Sequence, residues 1–79
     1  MSKYDALYKH LAAHEGERLV MSFDDVDEVL GGGLPPSGRR HREWWASHDD
    51  RHVQARAWLD AGFRAYPDMR ERTVTFERA

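Results

Sequence analysis

A chain of 79 residues without a single cysteine has neither a disulfide nor a thiolate–metal staple, so its fold must rest on one hydrophobic core of large side chains. The same absence excludes zinc ribbons, iron–sulfur centres and thiol catalysis. A core of this size supplies only ~3–5 kcal/mol of net stability, and each fully buried large side chain contributes about 1.5–3 kcal/mol. Tyr4, Leu7, Tyr8, Leu11, Leu19, Met21, Phe23, Val26, Leu30, Trp44, Trp58, Leu59, Phe63, Val74 and Phe76 are the natural candidates. A reactant-sized cleft would remove much of such a core. That favours a binding surface over an active site, and we expect no catalytic set and no cofactor. No apolar run exceeds three residues, as in Leu19 to Met21, which leaves no membrane span and no signal-peptide segment. The expectation is one domain over residues 1–79, in the cytoplasm.

Local signals divide the chain. Ser2-Lys3-Tyr4-Asp5 has the S-x-x-D form of a helix start, Tyr4, Leu7, Tyr8 and Leu11 recur at helical spacing, and Gly16 offers a stop. Arg18 to Phe23 alternates as a strand with Leu19, Met21 and Phe23 on one face. Ser22 or Asp24 can cap a second helix that turns Val26, Val29 and Leu30 inward and ends at Gly31-Gly32-Gly33. Leu34-Pro35-Pro36-Ser37 opens a third helix, expected from about Pro36 to Ala46. His52 to Ala61 reads as a fourth, closed by Gly62. Phe63 to Tyr66 and Arg72 to Arg78 read as strands around a Pro67-Asp68 turn, with Val74 and Phe76 alternating against Thr73, Thr75 and Glu77. The order helix-strand-helix-helix-helix-hairpin gives an α+β fold, with three or four helices on one face of a three-stranded antiparallel sheet. It resembles a winged-helix arrangement.

Charge is polarised. Residues 1–33 carry seven acids and three bases, residues 34–58 five bases and three acids, and residues 59–79 four of each. Arginine outnumbers lysine ten to two, and its planar fork suits phosphate or carboxylate recognition. Arg39, Arg40 and Arg42 therefore form a candidate contact face, extended by Arg70 and Arg72 at the hairpin. Asp24, Asp25, Asp27 and Glu28 form a compact negative patch, readable as helix-start electrostatics or as a mimic of phosphates. The sequence pI near 6.2 weighs against tight nonspecific DNA affinity.

Adjacent tryptophans on one helix lie about 100° apart around its axis, so Trp44 and Trp45 cannot both enter one core from a regular helix. Trp45 is the member assigned to the contact surface, although burial of both, against sheet and fourth helix, is the commoner outcome in so short a chain. His48 and His52 flank Asp49 and Asp50, with His41 nearby, and His10 and His14 repeat the four-residue spacing. Spacing alone supports a metal there, while Asp49 or Asp50 serves naturally as a helix cap, so no metal is expected. Gly31-Gly32-Gly33 lacks the lysine–serine pair of a phosphate loop.

Ser22-Phe23, Val26 to Gly31, Leu34-Pro35-Pro36-Ser37, Trp44-Trp45, Gln54 to Phe63 and Thr73-Val74-Thr75-Phe76 together resemble a small uncharacterised bacterial and phage domain family, in which a Tyr-rich first helix precedes the rest. Gly38 stands where that family favours alanine, and Phe63 where tryptophan is common. The resemblance implies no catalytic residue. In size and composition the chain is also similar to small phage-encoded inhibitors of host defence, including anti-CRISPR proteins. The leading expectation is thus a non-enzymatic phage-type inhibitor or adaptor that docks on a nucleic-acid-handling protein complex, as a monomer or weak homodimer away from membranes. The alternative is a winged-helix-like DNA-binding module that uses the Arg39–Arg42 helix and the hairpin.

Overall fold

Capping side chains and left-handed glycines decide where this backbone changes direction, and the computed structural model describes residues 2–46 and 53–79. Helix α1 spans Asp5–Ala12 and buries Leu7 and Leu11. Ser2 does not cap it. Its hydroxyl accepts the Tyr4 N–H at 3.1 Å and its carbonyl the Asp5 N–H, so Ser2 organises the turn ahead of the helix. The helix closes at Ala13, short of Gly16, and Tyr8 faces outward instead of joining the core.

Strand β1 covers Arg18–Ser22 and runs straight into helix α2, Phe23–Val29. The Ser22 hydroxyl accepts the Asp25 N–H at 2.9 Å while the Asp25 carboxylate accepts the Ser22 N–H at 3.2 Å, a reciprocal capping box. Gly31 and Gly32, at φ 64° and 86°, end α2. Their N–H groups donate to the Glu28 and Asp27 carbonyls in a Schellman turn that a side chain would strain.

The expected helix from Pro36 to Ala46 is corrected. Helix α3 covers only Pro36–Arg40; His41 is extended at φ −121°, ψ 117°, and Arg42–Trp45 form a separate 3₁₀ turn. Helix α4 spans Val53–Leu59, and Gly62 at φ 88° leads into β2, Phe63–Asp68, which pairs with β3, Thr73–Arg78. Pro67 and Asp68 belong to the strand, so the expected turn there is also corrected. The connection is residues 69–72, where Asp68 Oδ1 accepts the N–H groups of Arg70 and Glu71 and Arg72 adopts φ 57°.

The sheet order is β1-β3-β2, antiparallel throughout. Met21, Phe63, Ala65, Val74 and Phe76 point to one face and are buried. The helices among the described residues pack on that side, which makes this an α+β fold with winged-helix-like order. The edges are guarded against further pairing. His14 Nε2 sits 2.9 Å from the Arg18 carbonyl, the capping box occupies the Ser22 N–H, and Pro67 supplies no donor on β2.

Trp45 stands at the centre, 0% exposed, between Phe23 (centroids 5.4 Å apart) and Trp58 (5.6 Å), both stacked. Its indole Nε1 donates to the Gly38 carbonyl at 2.8 Å. The extended residue at His41 makes this possible, because it turns the second tryptophan inward after α3 has ended. Trp44 then lies half-buried, edge-on to Trp45 at 4.7 Å and to Tyr4 at 5.9 Å. The contact-surface assignment of Trp45 is therefore corrected: the side chain has no surface to offer. Gly38 is itself buried, and a Cβ there would approach Leu34 Cδ1 at 2.7 Å. We expect Trp45→Phe to cost about 2–3 kcal/mol, from lost volume and an orphaned Gly38 carbonyl, and Trp44→Phe clearly less. Urea unfolding of both variants checks the order. Ser22→Ala should cost about 1 kcal/mol in the same assay.

Candidate functional site

Pro35 and Pro36 fix the entry of α3, and Asp27 holds it against α2 by accepting the Leu34 N–H at 2.8 Å. This anchoring swings Arg39 over the start of α2. Its Nη1 meets Asp24 Oδ1 at 2.9 Å and its Nη2 lies 3.8 Å from Asp27 Oδ2. The basic face and the acidic patch of the sequence are therefore not two independent surfaces. Arg39 is spent on Asp24 and Asp27, and Asp25 is spent on the capping box. Glu28 has no ion-pair partner among the described residues and lines a groove along β1 with His10 and Asp25.

Four of the nominated arginines remain. Arg40, Arg42, Arg70 and Arg72 are exposed, and none has a carboxylate within 4.0 Å among the described residues. The Phe23 N–H donates to the Arg72 carbonyl at 2.9 Å and pins the hairpin loop beside α2. Arg72 thereby shares a hollow with Arg39, Asp24 and Glu71. Arg42 and Glu43 border a second hollow with Tyr66 and Pro67, where the 3₁₀ turn packs on β2. The α3 segment and the hairpin loop thus occupy one end of the molecule. Carboxylates of Asp24, Glu43 and Glu71 are interleaved with its arginines.

Helix α4 contributes little to this end. Gln54, Ala55, Ala57 and Trp58 are buried, and Arg56 Nε faces Asp60 Oδ2 at 3.4 Å. His48, Asp49, Asp50 and His52 lie outside the described residues. Among the described residues no three His, Asp or Glu side chains converge as a metal-holding group, and no helix is long and apolar enough to cross a membrane.

Two features escaped the sequence reading. Arg78 reaches from β3 to the His14 and Gly16 carbonyls, at 2.7 and 3.1 Å, with its guanidinium over the Phe63 ring. On the uncovered side of the sheet, Val20 and Tyr66 stand more than half and half exposed, at 57% and 50%. Strand alternation alone was the signal for that second pair.

A family model described as "Domain of unknown function (DUF7662)" matches residues 4–79. The chain belongs to this family. Comparison with curated proteins and with solved structures found no match. The family match covers every element from α1 to β3, so the Arg39 anchor and the tryptophan pair both fall within the domain it defines.

The two carboxylates that hold Arg39 are unequal. Asp24 is an exposed ion-pair partner, a class that contributes ~0.2–1 kcal/mol. Asp27 is half-buried and also satisfies a backbone donor. Asp27→Ala should therefore cost about 1–2 kcal/mol and Asp24→Ala less than about 0.5 kcal/mol in urea unfolding.

Proposed function

We propose that this domain is a nucleic-acid-binding module that acts by surface contact and not by catalysis, with the hairpin serving as its wing. One observation carries the reading: in a winged-helix-like order, Arg40, Arg42, Arg70 and Arg72 stand exposed, with no ion-pair partner among the described residues, at the end where α3 and the hairpin loop meet. An arginine with no carboxylate to leave behind can neutralise a phosphate without breaking an internal contact. In a helix-turn-helix the second helix enters the major groove. Here α4 is largely committed to the core, so the expected contacts come from the α3 side and the loop, and they fall on the backbone more than on base edges.

A second reading keeps the surface but changes the partner. Asp24, Glu43 and Glu71 make the same end mixed in sign, which suits the rim of a protein interface. This supports a small phage-type inhibitor or adaptor that docks on a nucleic-acid-handling protein complex.

Titration of a labelled duplex at several salt concentrations separates the two. Four phosphate contacts give log K against log salt a slope of about −3 to −4. The double variant Arg40→Ala, Arg42→Ala should lower that slope by about 2, whereas Arg39→Ala should leave it nearly unchanged. No binding at about 50 mM salt would remove the first reading, and co-elution with a nuclease complex would then support the second.

A further inference from the structure

The outer face of the sheet is a surface that the arginine cluster does not explain. The register aligns three rows across the strands: Arg18–Glu77–Arg64, Val20–Thr75–Tyr66 and Ser22–Thr73–Asp68. Each lies opposite in pleat to the buried residues, and Val20 and Tyr66 are the most exposed large apolar side chains of the sheet. The two outer rows differ in sign. Arg18 Nη2 is satisfied by Glu77 Oε1 at 2.7 Å, but Arg64 has no carboxylate within 4.0 Å among the described residues, so the first row is net positive. The third row is negative through Asp68, whose Oδ1 is occupied by the hairpin loop while Oδ2 has no partner among the described residues.

We propose that this face docks on the same face of a second copy of the chain, about a twofold axis lying across the strands. Such an axis reverses strand direction and leaves strand order unchanged. It sets the positive row of each copy against the negative row of the other, Arg64 opposite the other copy's Asp68, twice over. Tyr66 then meets Tyr66 and Val20 meets Val20. Facing sheets pack about 10 Å apart, a gap an arginine and an aspartate can bridge together. An isologous contact needs a self-complementary patch, and a pattern of plus, apolar, minus across a twofold is one. The footprint, three strands ~4.8 Å apart and about five residues long, is on the order of 300 Å² per copy. That is well under the ~800 Å² per partner of a stable complex, so the dimer is weak and exchanges rapidly. The proposal does not rest on nucleic-acid binding: none of Arg40, Arg42, Arg70 and Arg72 belongs to the three rows, although Arg42 borders the hollow beside Tyr66 and the Arg70 N–H bonds Asp68.

Sedimentation equilibrium of the full chain from about 10 μM to 1 mM tests it, in the concentration range of weak association. The average mass should climb from 9.2 kDa toward twice that value. Val20→Asp and Arg64→Asp, each confirmed folded by indole fluorescence, should raise the dissociation constant at least about tenfold. Orientation is tested by mixing. Arg64→Asp and Asp68→Arg should each fail to self-associate yet associate with one another, since the mixture restores both opposite-charge pairs. Should Asp68→Arg lose its turn and unfold, Arg64→Asp and Val20→Asp still decide the matter. A constant 9.2 kDa at every concentration, or association untouched by both variants, overturns the proposal.

Discussion

Trp45 is the interaction on which the rest of the molecule depends. Its ring is stacked between Phe23, at the start of α2, and Trp58, in α4, and its edge lies toward Phe76 on the central strand. One side chain therefore joins two helices to the sheet. The hydrogen bond from its indole to the Gly38 carbonyl adds α3 to that list and satisfies a buried polar pair that would otherwise be costly. Without a disulfide or metal, a chain this short needs such a hub. An indole offers the largest buried area and a polar handle in one residue.

The same hub explains why the chain breaks its third helix. A continuous helix through residues 36–46 would carry Trp44 and Trp45 to different sides and keep Gly38 out of reach of the indole. Extending His41 ends α3 after Arg40, and the backbone bonds lost there are replaced by the 3₁₀ turn. Arg39 and Arg42 consequently face different neighbours, Asp24 for one and Tyr66 for the other. A local rule of helix continuation yields to packing energy, and the surface charges follow the packing.

Surface chemistry is set by what the core leaves over. The cluster of Asp24, Asp25 and Asp27 is mostly consumed at the start of α2 by a cap, by the Leu34 N–H and by Arg39. What remains for a partner is four arginines at the hairpin-loop end, and an outer sheet face with a net positive row at one end of the strands and a negative row at the other. The two surfaces use different side chains and adjoin where Arg42 borders Tyr66 and the hairpin loop follows Asp68.

Alternating apolar residues made β1 and β3 legible from sequence, and paired caps such as Ser22 with Asp25 and Gly31 with Gly32 fixed α2 from both ends. These features are local: a few neighbouring residues hold all the information, so family, fold class and element order could be read without coordinates, whereas the place of β3 between β1 and β2 could not. The split of the 36–46 segment, the burial of Trp45 in place of Trp44 and the shift of the hairpin turn to residues 69–72 could not. Each depends on partners distant in sequence, namely Phe23, Trp58 and the Phe23 N–H on the Arg72 carbonyl. Charge shows the same division. Composition alone revealed an acidic front and a basic middle, but only tertiary packing brought Asp24 to within 2.9 Å of Arg39 and cancelled the two against each other. Sequence spacing orders charges along a line, whereas Coulomb energy depends on their separation in space.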